Sequence, residues 1–467
     1  MRATPELTAR AGFEKLATYP FQIVSWVDDA GYPVSVAVEA MVDPSSSTAT
    51  FDPPAGLRVP TDREVSLTGS HIRPQPGYGY DERRHVTVWG RVAPGMRPDT
   101  LARVLTLTGR SAWGWDESEV PFFEYSERSV ARSRKYFDAL SAERGTPVRP
   151  RLSFGFLALR TTRLPFLTAT IVPVLLGILI AAEHGSFDLV SALLTVIGAA
   201  FVQLGLNVAN DVFDTVQGAD DANVTPTQFS GGSRVIQYGL VSLRQMASLA
   251  TVFYVAAGLI GLLLLAMRGS VALLVIGIVG FVVSLGYTAP PLKFVYRGLG
   301  EIAVAIGFGP LMLLGAYVVQ TRGALAWEPV AASIPIALLV ALILYVNEIP
   351  DRRGDARAGK RTLPVRFSQA AVIGGYNGAV VAAYVAVVVA VIAGLLPVPA
   401  LLMLLTIPLA RRVSAGLAPN YDNPYGLMAF MGVNVQLHLA AGALLLLAYL
   451  IVLAVGAFAP SVNLFVG

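Results

Sequence analysis

Nine apolar runs follow one another in the later part of the chain, at 164–182, 187–209, 246–267, 270–288, 300–320, 328–346, 371–396, 398–410 and 436–458. A helix needs about 20 apolar residues to cross a bilayer, and most of these runs approach that length, 398–410 being the shortest. Buried helices in one large soluble core would explain a few such runs but not so many. Residues 164–460 are therefore expected to form an all-α polytopic membrane bundle of nine transmembrane helices. Only 14% of the chain is charged, against about 25% in an ordinary soluble protein, and the deficit lies after residue 160.

The basic residues between the runs predict an orientation. Arg234 and Arg244, Lys293 and Arg297, then Arg352, Arg353, Arg357, Lys360, Arg361 and Arg366, and finally Arg411 and Arg412 follow every second run. The alternate loops carry only Arg268 and Arg322, whereas Arg151, Arg160 and Arg163 precede the first run. Positive loops stay inside. This predicts a multi-pass protein of the cell inner (plasma) membrane with its N-terminal domain cytoplasmic and its C-terminus outside. The first residues include Glu6, Arg10, Glu14 and Lys15, which does not read as a signal peptide.

Two aspartate-rich stretches directly follow apolar runs on the cytoplasmic side. One is Asn207-Val-Ala-Asn210-Asp211-Val-Phe-Asp214-Thr-Val-Gln-Gly218-Ala-Asp220, the other Asn347-Glu348-Ile-Pro-Asp351-Arg-Arg-Gly-Asp355-Ala-Arg-Ala-Gly359-Lys360-Arg361-Thr362. Carboxylates at a bilayer edge are costly unless something cationic uses them. Positions three and four apart share a helix face, so Asn207, Asp211 and Asp214 are expected to converge, as are Asn347, Asp351 and Asp355. Mg²⁺ takes oxygen ligands and bridges carboxylates to phosphates, and Lys360 and Arg361 suit the remaining phosphate charge. Solvated loops are the plain alternative, yet they leave the repeated Asn-x-x-x-Asp step unexplained. Ser230-Gly231-Gly232-Ser233-Arg234 is either a further phosphate-binding turn or simply a flexible one. Asn377 and Asn434 read as interhelical polar contacts, and His184 and His438 lack partners at metal-ligand spacing.

These residues resemble the UbiA-type membrane prenyltransferase superfamily over about 155–460. Asn210, Asp211 and Asp214 match its first motif, Asp351 and Asp355 with Gly359-Lys360-Arg361-Thr362 its second. Tyr287-Thr-Ala-Pro-Pro-Leu-Lys293 with Arg297-Gly-Leu-Gly-Glu301 matches its loop after the fourth helix, and Arg163-Leu-Pro165 the stretch before the first. The resemblance implies Mg²⁺-dependent transfer of a polyprenyl group from an allylic diphosphate to an aromatic acceptor. It implies Asp211, Asp214, Asp351, Asp355, Lys360 and Tyr287 as catalytic, Asp211, Asp214, Asp220, Asp351 and Asp355 as metal ligands. Asn207, Asn210, Arg234, Lys293, Asn347 and Arg361 would then hold substrate. The motif's final acid is Gly218 here, with Asp220 just beyond, a variant similar to the branch that prenylates 1,4-dihydroxy-2-naphthoate in menaquinone biosynthesis. Among Phe201, Phe213, Tyr254 and Tyr287, which are candidates to shield an allylic cation, Tyr287 stands out because it lies in the matched loop.

Residues 1–145 read as a separate soluble domain, joined to the membrane part through a linker and juxtamembrane segment at 146–163. Apolar runs at 21–27 and 32–38 flank Asp28-Asp-Ala-Gly31, a hairpin pattern. Further strands are expected at Thr48–Phe51, Glu64–Gly69 and His85–Val92, then a helix from Glu124 to Arg144, which together suggest a small β-barrel. The hairpin and Val86-Thr-Val-Trp-Gly90-Arg-Val92 resemble the pyridoxamine-phosphate-oxidase-like split-barrel family. That resemblance implies FMN or a related flavin, and a homodimer through this domain. Ser66, Thr68 and Arg73 would offer hydroxyls and a cation to the flavin phosphate, or else form a polar barrel rim.

With no cysteine, disulfides, iron–sulfur ligation and thiol nucleophiles are excluded. No basic tract interleaves with aromatics, so nucleic acid is not an expected partner. Two other readings remain open: a prenyltransferase for 4-hydroxybenzoate, a tocopherol or chlorophyll precursor or a glyceryl phosphate lipid, and a membrane transporter. A transporter places its charges in broken helices at mid-membrane, whereas these cluster at helix ends.

Overall fold

The computed structural model describes residues 6–75, 79–97, 101–120, 122–148, 153–223 and 226–466. The chain divides into two compact units, Met1–Ser133 and Arg134–Gly467.

The first unit is a curled antiparallel sheet, a half-barrel. Its strands are β1 (Glu6–Leu7), β2 (Gln22–Val27), β3 (Pro33–Val38), β4 (Ala40–Asp43), β5 (Thr48–Phe51), β6 (Val65–Gln75), β7 (Gly79–Met96) and β8 (Arg103–Asp116). They pair in the order β3-β2-β6-β7-β8-β5-β4, with β1 on β8. The expected hairpin is β2–β3: Asp28 Oδ1 accepts from the backbone N–H of Ala30 and Tyr32, and Gly31 takes φ +87°, the local turn chemistry of an aspartate followed by glycine. Alternation buries Val24, Trp26, Leu67, Val86, Val88 and Leu107 beneath Phe13 and Leu16 of α1 (Ala9–Leu16). The run expected at Glu64–Gly69 covers the first half of β6, which begins one residue later, and His85–Val92 is the centre of the longer β7. β7 slips register at Trp89/Gly90, where a Cβ on Gly90 would meet the Thr108 carbonyl oxygen at 2.0 Å; only glycine allows that bulge. β8 was not expected, because Gly109 and Gly114 interrupt its alternation.

The helices are α2 (Phe122–Arg144), α3 (Phe154–Thr162), α4 (Thr168–Glu183), α5 (Leu189–Val216), α6 (Ala219–Ala222), α7 (Leu243–Arg268), α8 (Val271–Gly286), α9 (Gly300–Ile306), α10 (Met312–Gln320), α11 (Trp327–Arg357), α12 (Leu363–Arg366), α13 (Gln369–Ile392), α14 (Ile407–Asn420) and α15 (Pro424–Phe458). Among the described residues seven segments are long and apolar enough to cross a membrane: α5, α7, Gly300–Gln320, α11, α13, Val398–Asn420 and α15. α4 and α8 are apolar but shorter. The second unit is thus the helical part of a multi-pass membrane protein. Exposed Val252, Val255, Leu259 and Leu262 on α7, and Leu274, Ile278 and Phe281 on α8, give it an apolar outer surface, as lipid requires.

Several helices run past their apolar stretches. Arg352, Arg353 and Arg357 lie inside α11, and Arg411 and Arg412 inside α14, rather than in loops. Between α9 and α10, Pro310 removes a backbone donor and the chain opens into a wide turn over Gly307–Leu311. Asn434 on α15 donates to the Leu342 carbonyl at 2.8 Å and accepts from the Tyr376 hydroxyl at 2.9 Å, the expected interhelical contact. Asn377 is exposed and, among the described residues, makes no hydrogen bond of that kind.

Candidate active site

Both aspartate stretches are helical, and their helix ends meet. On α5, Asp211 and Asp214 are only 2% and 4% exposed. Asp211 accepts from Arg163 Nη2 at 2.5 Å and from the Ser233 backbone N–H at 3.2 Å. Asp214 accepts from the Tyr296 hydroxyl at 2.7 Å, from Asn210 Nδ2 at 3.0 Å and from Lys360 Nζ at 3.1 Å. On α11, Asp351 accepts from Asn223 Nδ2 at 2.7 Å and from the Gly231 N–H at 2.9 Å, and Asp355 lies 3.9 Å from Lys360. Lys360 therefore cross-links the two helix ends. Gly359 takes φ +73° just before it, a left-handed turn that glycine adopts freely.

The charge balance is strongly negative. Asp211, Asp214, Asp220, Asp351 and Asp355 are answered by Arg163 and Lys360, with Arg234 on the Asp220 backbone carbonyl. Burial, and then the neighbouring Asp214 and Asp211 carboxylates, push the Asp220 carboxyl well above its usual range. Burial alone would lower the Lys360 ammonium, but Asp214 and Asp355 outweigh it and hold the group well above its ordinary value. Five clustered carboxylates with surplus negative charge are a fitting donor set for a hard divalent cation such as Mg²⁺.

A polar pocket of about 170 Å³ opens among these groups and includes Asn207, Asn210, Asp214, Asp220, Asn347, Asp351, Asp355 and Lys360. An apolar cavity of about 520 Å³ lies between α5, α7, α8, α9 and α10. The two share Gln203, Leu206, Tyr287, Val304 and Phe308 as lining. A charged head and a long hydrocarbon tail thus have adjoining compartments.

Most residues singled out in the sequence reach this pocket, and some do not. Asp211 lies behind it, clasped by Arg163. Arg234 donates to the Asp220 carbonyl and so fixes the backbone there. Lys293 packs over the Tyr296 ring at 5.6 Å, and the Arg361 side chain is exposed; neither lines the pocket. The Ser230–Arg234 turn does use its backbone N–H groups on anions, but the anions are Asp351 and Asp211. Tyr254 and Tyr287 line the apolar cavity, whereas Phe201 stacks on Phe253 with ring centroids 5.9 Å apart. Sequence reasoning gave no site role to Arg163, Asn223, Tyr296 or Phe308. His184, expected to lack partners, gathers Glu183 and Glu328 within 4.8 Å. Ser66 and Thr68 share one face of β6, bonded to the Ser25 carbonyl and the Thr87 hydroxyl, and Arg73 pairs with Glu82 at 2.9 Å.

Residues 170–434 match the UbiA prenyltransferase family. The chain belongs to that family. It is an enzyme that transfers prenyl groups. The 1,4-dihydroxy-2-naphthoate octaprenyltransferase of Bacillus subtilis (strain 168) is 28% identical over 299 residues, covering 64% of this chain and 94% of that protein. The 2-carboxy-1,4-naphthoquinone phytyltransferase of Synechocystis sp. is 26% identical over 292 residues, covering 61% of this chain and 90% of its own. A solved UbiA homolog from Archaeoglobus fulgidus, bound to DMAPP and Mg²⁺, covers 62% of this chain and 98% of its own at 15% identity, with a TM-score of 0.46.

Proposed function

We propose that this enzyme transfers a polyprenyl group from an allylic diphosphate to an aromatic acceptor, with 1,4-dihydroxy-2-naphthoate in menaquinone biosynthesis as the favoured acceptor. One observation carries the reading: the aspartate-lined pocket adjoins the apolar cavity through Tyr287, Val304 and Phe308. The names of the two relatives favour the naphthoate acceptor over 4-hydroxybenzoate, a tocopherol or chlorophyll precursor, or a glyceryl phosphate lipid.

Asp211, Asp214, Asp220, Asp351 and Asp355 are the proposed ligands for Mg²⁺. Bound there, the metal would supply charge neutralisation to the departing diphosphate. Lys360 neutralises further phosphate charge from within the pocket, and Asn207, Asn210 and Asn347 offer amides to phosphate oxygens. The fixed donors act among buried side chains, where they are worth more than in open water. The C1–O bond of the allylic diphosphate breaks with its electron pair going to diphosphate. Tyr287 and Phe308 present ring faces to the allylic cation left behind, and an electron-rich ring carbon of the acceptor closes the new C–C bond. The tail occupies the apolar cavity.

The proposed arrangement has nine membrane helices over 164–460, with α4 and α8 included as short spans, in the inner membrane. The basic residues favour a cytoplasmic active site and N-terminal domain (1–145, followed by a linker to 163) and an outside C-terminus. For the half-barrel we carry forward the split-barrel flavin reading, with Ser66, Thr68 and Arg73 toward a phosphate and a homodimer through this domain. Arg73 must then exchange Glu82 for the phosphate. A purified full chain that takes up no FMN in an absorbance titration removes it.

With Mg²⁺, an allylic diphosphate and dihydroxynaphthoate, the purified protein should release diphosphate and form a prenylated product, and EDTA should abolish turnover. Absence of product with every aromatic acceptor overturns the proposal.

A further inference from the structure

Along α11 the pocket-lining face changes character in order. Val340, Ile343 and Leu344 are apolar, Asn347 and Glu348 follow, and Asp351 and Asp355 end the series. Glu348 therefore sits at the seam between the apolar end of this pocket and its aspartates, about 4.5 Å along the axis from Asp351 at 1.5 Å per residue. Its side chain is buried, the residue only 5% exposed, and it lines the pocket. Neither carboxylate oxygen receives a hydrogen bond from any donor among the described residues. Its immediate neighbour is the Glu301 carboxyl, an acceptor like itself unless one of the two carries a proton. Tyr287, Tyr345, Asp355 and Lys360 are the other titratable groups facing it. Tyr345 gives its hydroxyl to the Val372 carbonyl, and Lys360 is committed to Asp214 at 3.1 Å.

A buried acceptor with no donor is expensive, so an unmatched carboxylate at this seam calls for a donor from a ligand. The aspartates beyond it are assigned to metal, and the residues before it are hydrocarbon. We propose that Glu348 binds a hydroxyl of the aromatic acceptor and takes its proton during prenyl transfer. This rests on the prenyl-transfer reading above. The acceptor O–H proton passes to the Glu348 carboxylate, and the O–H electron pair flows into the ring. The ring carbon ortho or para to that oxygen forms the bond to C1 of the isoprenoid. The C1–O bond breaks with its pair on diphosphate, leaving a ring ketone and a neutral Glu348. The displaced ring substituent then leaves without its bonding pair, as a proton to solvent or as carbon dioxide from a carboxylate; that pair restores the aromatic ring as a phenolate, and Glu348 returns its proton to that oxygen. The ligand class is a phenol or hydroquinone, not an alcohol.

The test uses the full chain, with two acceptors of equal shape but different phenol acidity, and separate equilibrium binding of an allylic diphosphate with Mg²⁺. Glu348→Gln should bind the diphosphate as wild type does. It should lose about 10²-fold or more in kcat with the weakly acidic phenol, the usual worth of a positioned base, and far less with the acidic phenol, which arrives ionised. Glu348→Asp, which keeps a carboxylate, should show the same pattern with a smaller loss. Equal losses with both phenols, a diphosphate affinity that falls in step with kcat, or unchanged turnover would each overturn the assignment. A wild-type protein inactive with both phenols overturns the functional reading, and this one with it; an active wild type and an unaffected Glu348→Gln overturn this one alone.

Discussion

The helix ends of α5 and α11 carry the same Asn-x-x-x-Asp step, yet they hold their charges by different means. On α5, Asp211 is paired with Arg163 at 2.5 Å and Asp214 with Lys360 at 3.1 Å. On α11, the hydrogen-bond partners of Asp351 are neutral, Asn223 at 2.7 Å, the Gly231 N–H at 2.9 Å and the Ser230 side chain, and Lys360 reaches Asp355 only at 3.9 Å. A cation in contact offsets an anion's charge, while a neutral N–H or O–H donor stabilises the anion without changing the net charge. The α5 end is therefore largely compensated before ligand arrives, and the α11 end is organised but less compensated. An incoming divalent cation gains most on α11, whereas on α5 it must compete with Arg163 and Lys360.

The largest expected effect tests that difference directly. Asp211→Ala and Asp351→Ala should each reduce turnover by about 10²–10³-fold, the scale of losing a principal charge-stabilising contact. Their stabilities should diverge. Asp211→Ala strands Arg163, a penalty of roughly 1–3 kcal/mol, reduced because its side chain remains 25% exposed. Asp351→Ala strands only neutral donors, from Asn223, Gly231 and Ser230. Thermal melts in EDTA should show the larger drop for Asp211→Ala, and the reverse order would break the comparison.

Gly232→Ala should come next. Gly232 has φ +78°, and a Cβ would lie 2.8 Å from both Asp220 carboxylate oxygens. The backbone alone costs about 1–2 kcal/mol, and Asp220 must move. A shift of about 1 Å in a reacting group can cost ~10²-fold in rate, so kcat should fall on that order while the apolar cavity still binds a prenyl chain. Tyr296→Phe is milder. It deletes the hydroxyl bonded to Asp214 at 2.7 Å but keeps the ring that Lys360 faces at 5.5 Å. Loss of an outer hydrogen bond to a metal ligand typically costs 10–100-fold in metal affinity; a value near the lower end, read as a higher Mg²⁺ requirement, is expected here.

How much of this could be read in advance follows from how local each signal is. Apolar runs are local, so the helices were legible, but their charged extensions were not, because Arg352 or Arg411 in a helix leaves no hydrophobic pattern. The aspartate faces were legible because three- and four-residue spacing is helical periodicity. Their partners were not. Arg163 lies 48 residues from Asp211, Tyr296 82 from Asp214, Gly231 120 and Asn223 128 from Asp351. Glu183 and His184 met Glu328 by the same kind of long-range packing. In the half-barrel, the turn at Asp28–Gly31 announced its hairpin, while β8 hid behind two glycines.

The smallest effect concerns Asp220, which adjoins the α5 cluster. Burial, Asp214 and Asp211 raise its carboxyl in the folded protein. The folded state then binds a proton more tightly than the unfolded chain, so its contribution to stability is complete below the unfolded value near 3.9 and is lost as pH rises through the folded value. In EDTA, the melting temperature of the wild type should decline with rising pH over that window more steeply than that of Asp220→Asn. Each unit of separation is worth about 1.4 kcal/mol. Added Mg²⁺ should erase the decline, because a cation favours the ionised carboxyl. Parallel pH profiles for wild type and Asp220→Asn in EDTA would mean that Arg163 and Lys360 already neutralise the whole cluster, and the contrast between the two helix ends would then extend to Asp220 as well.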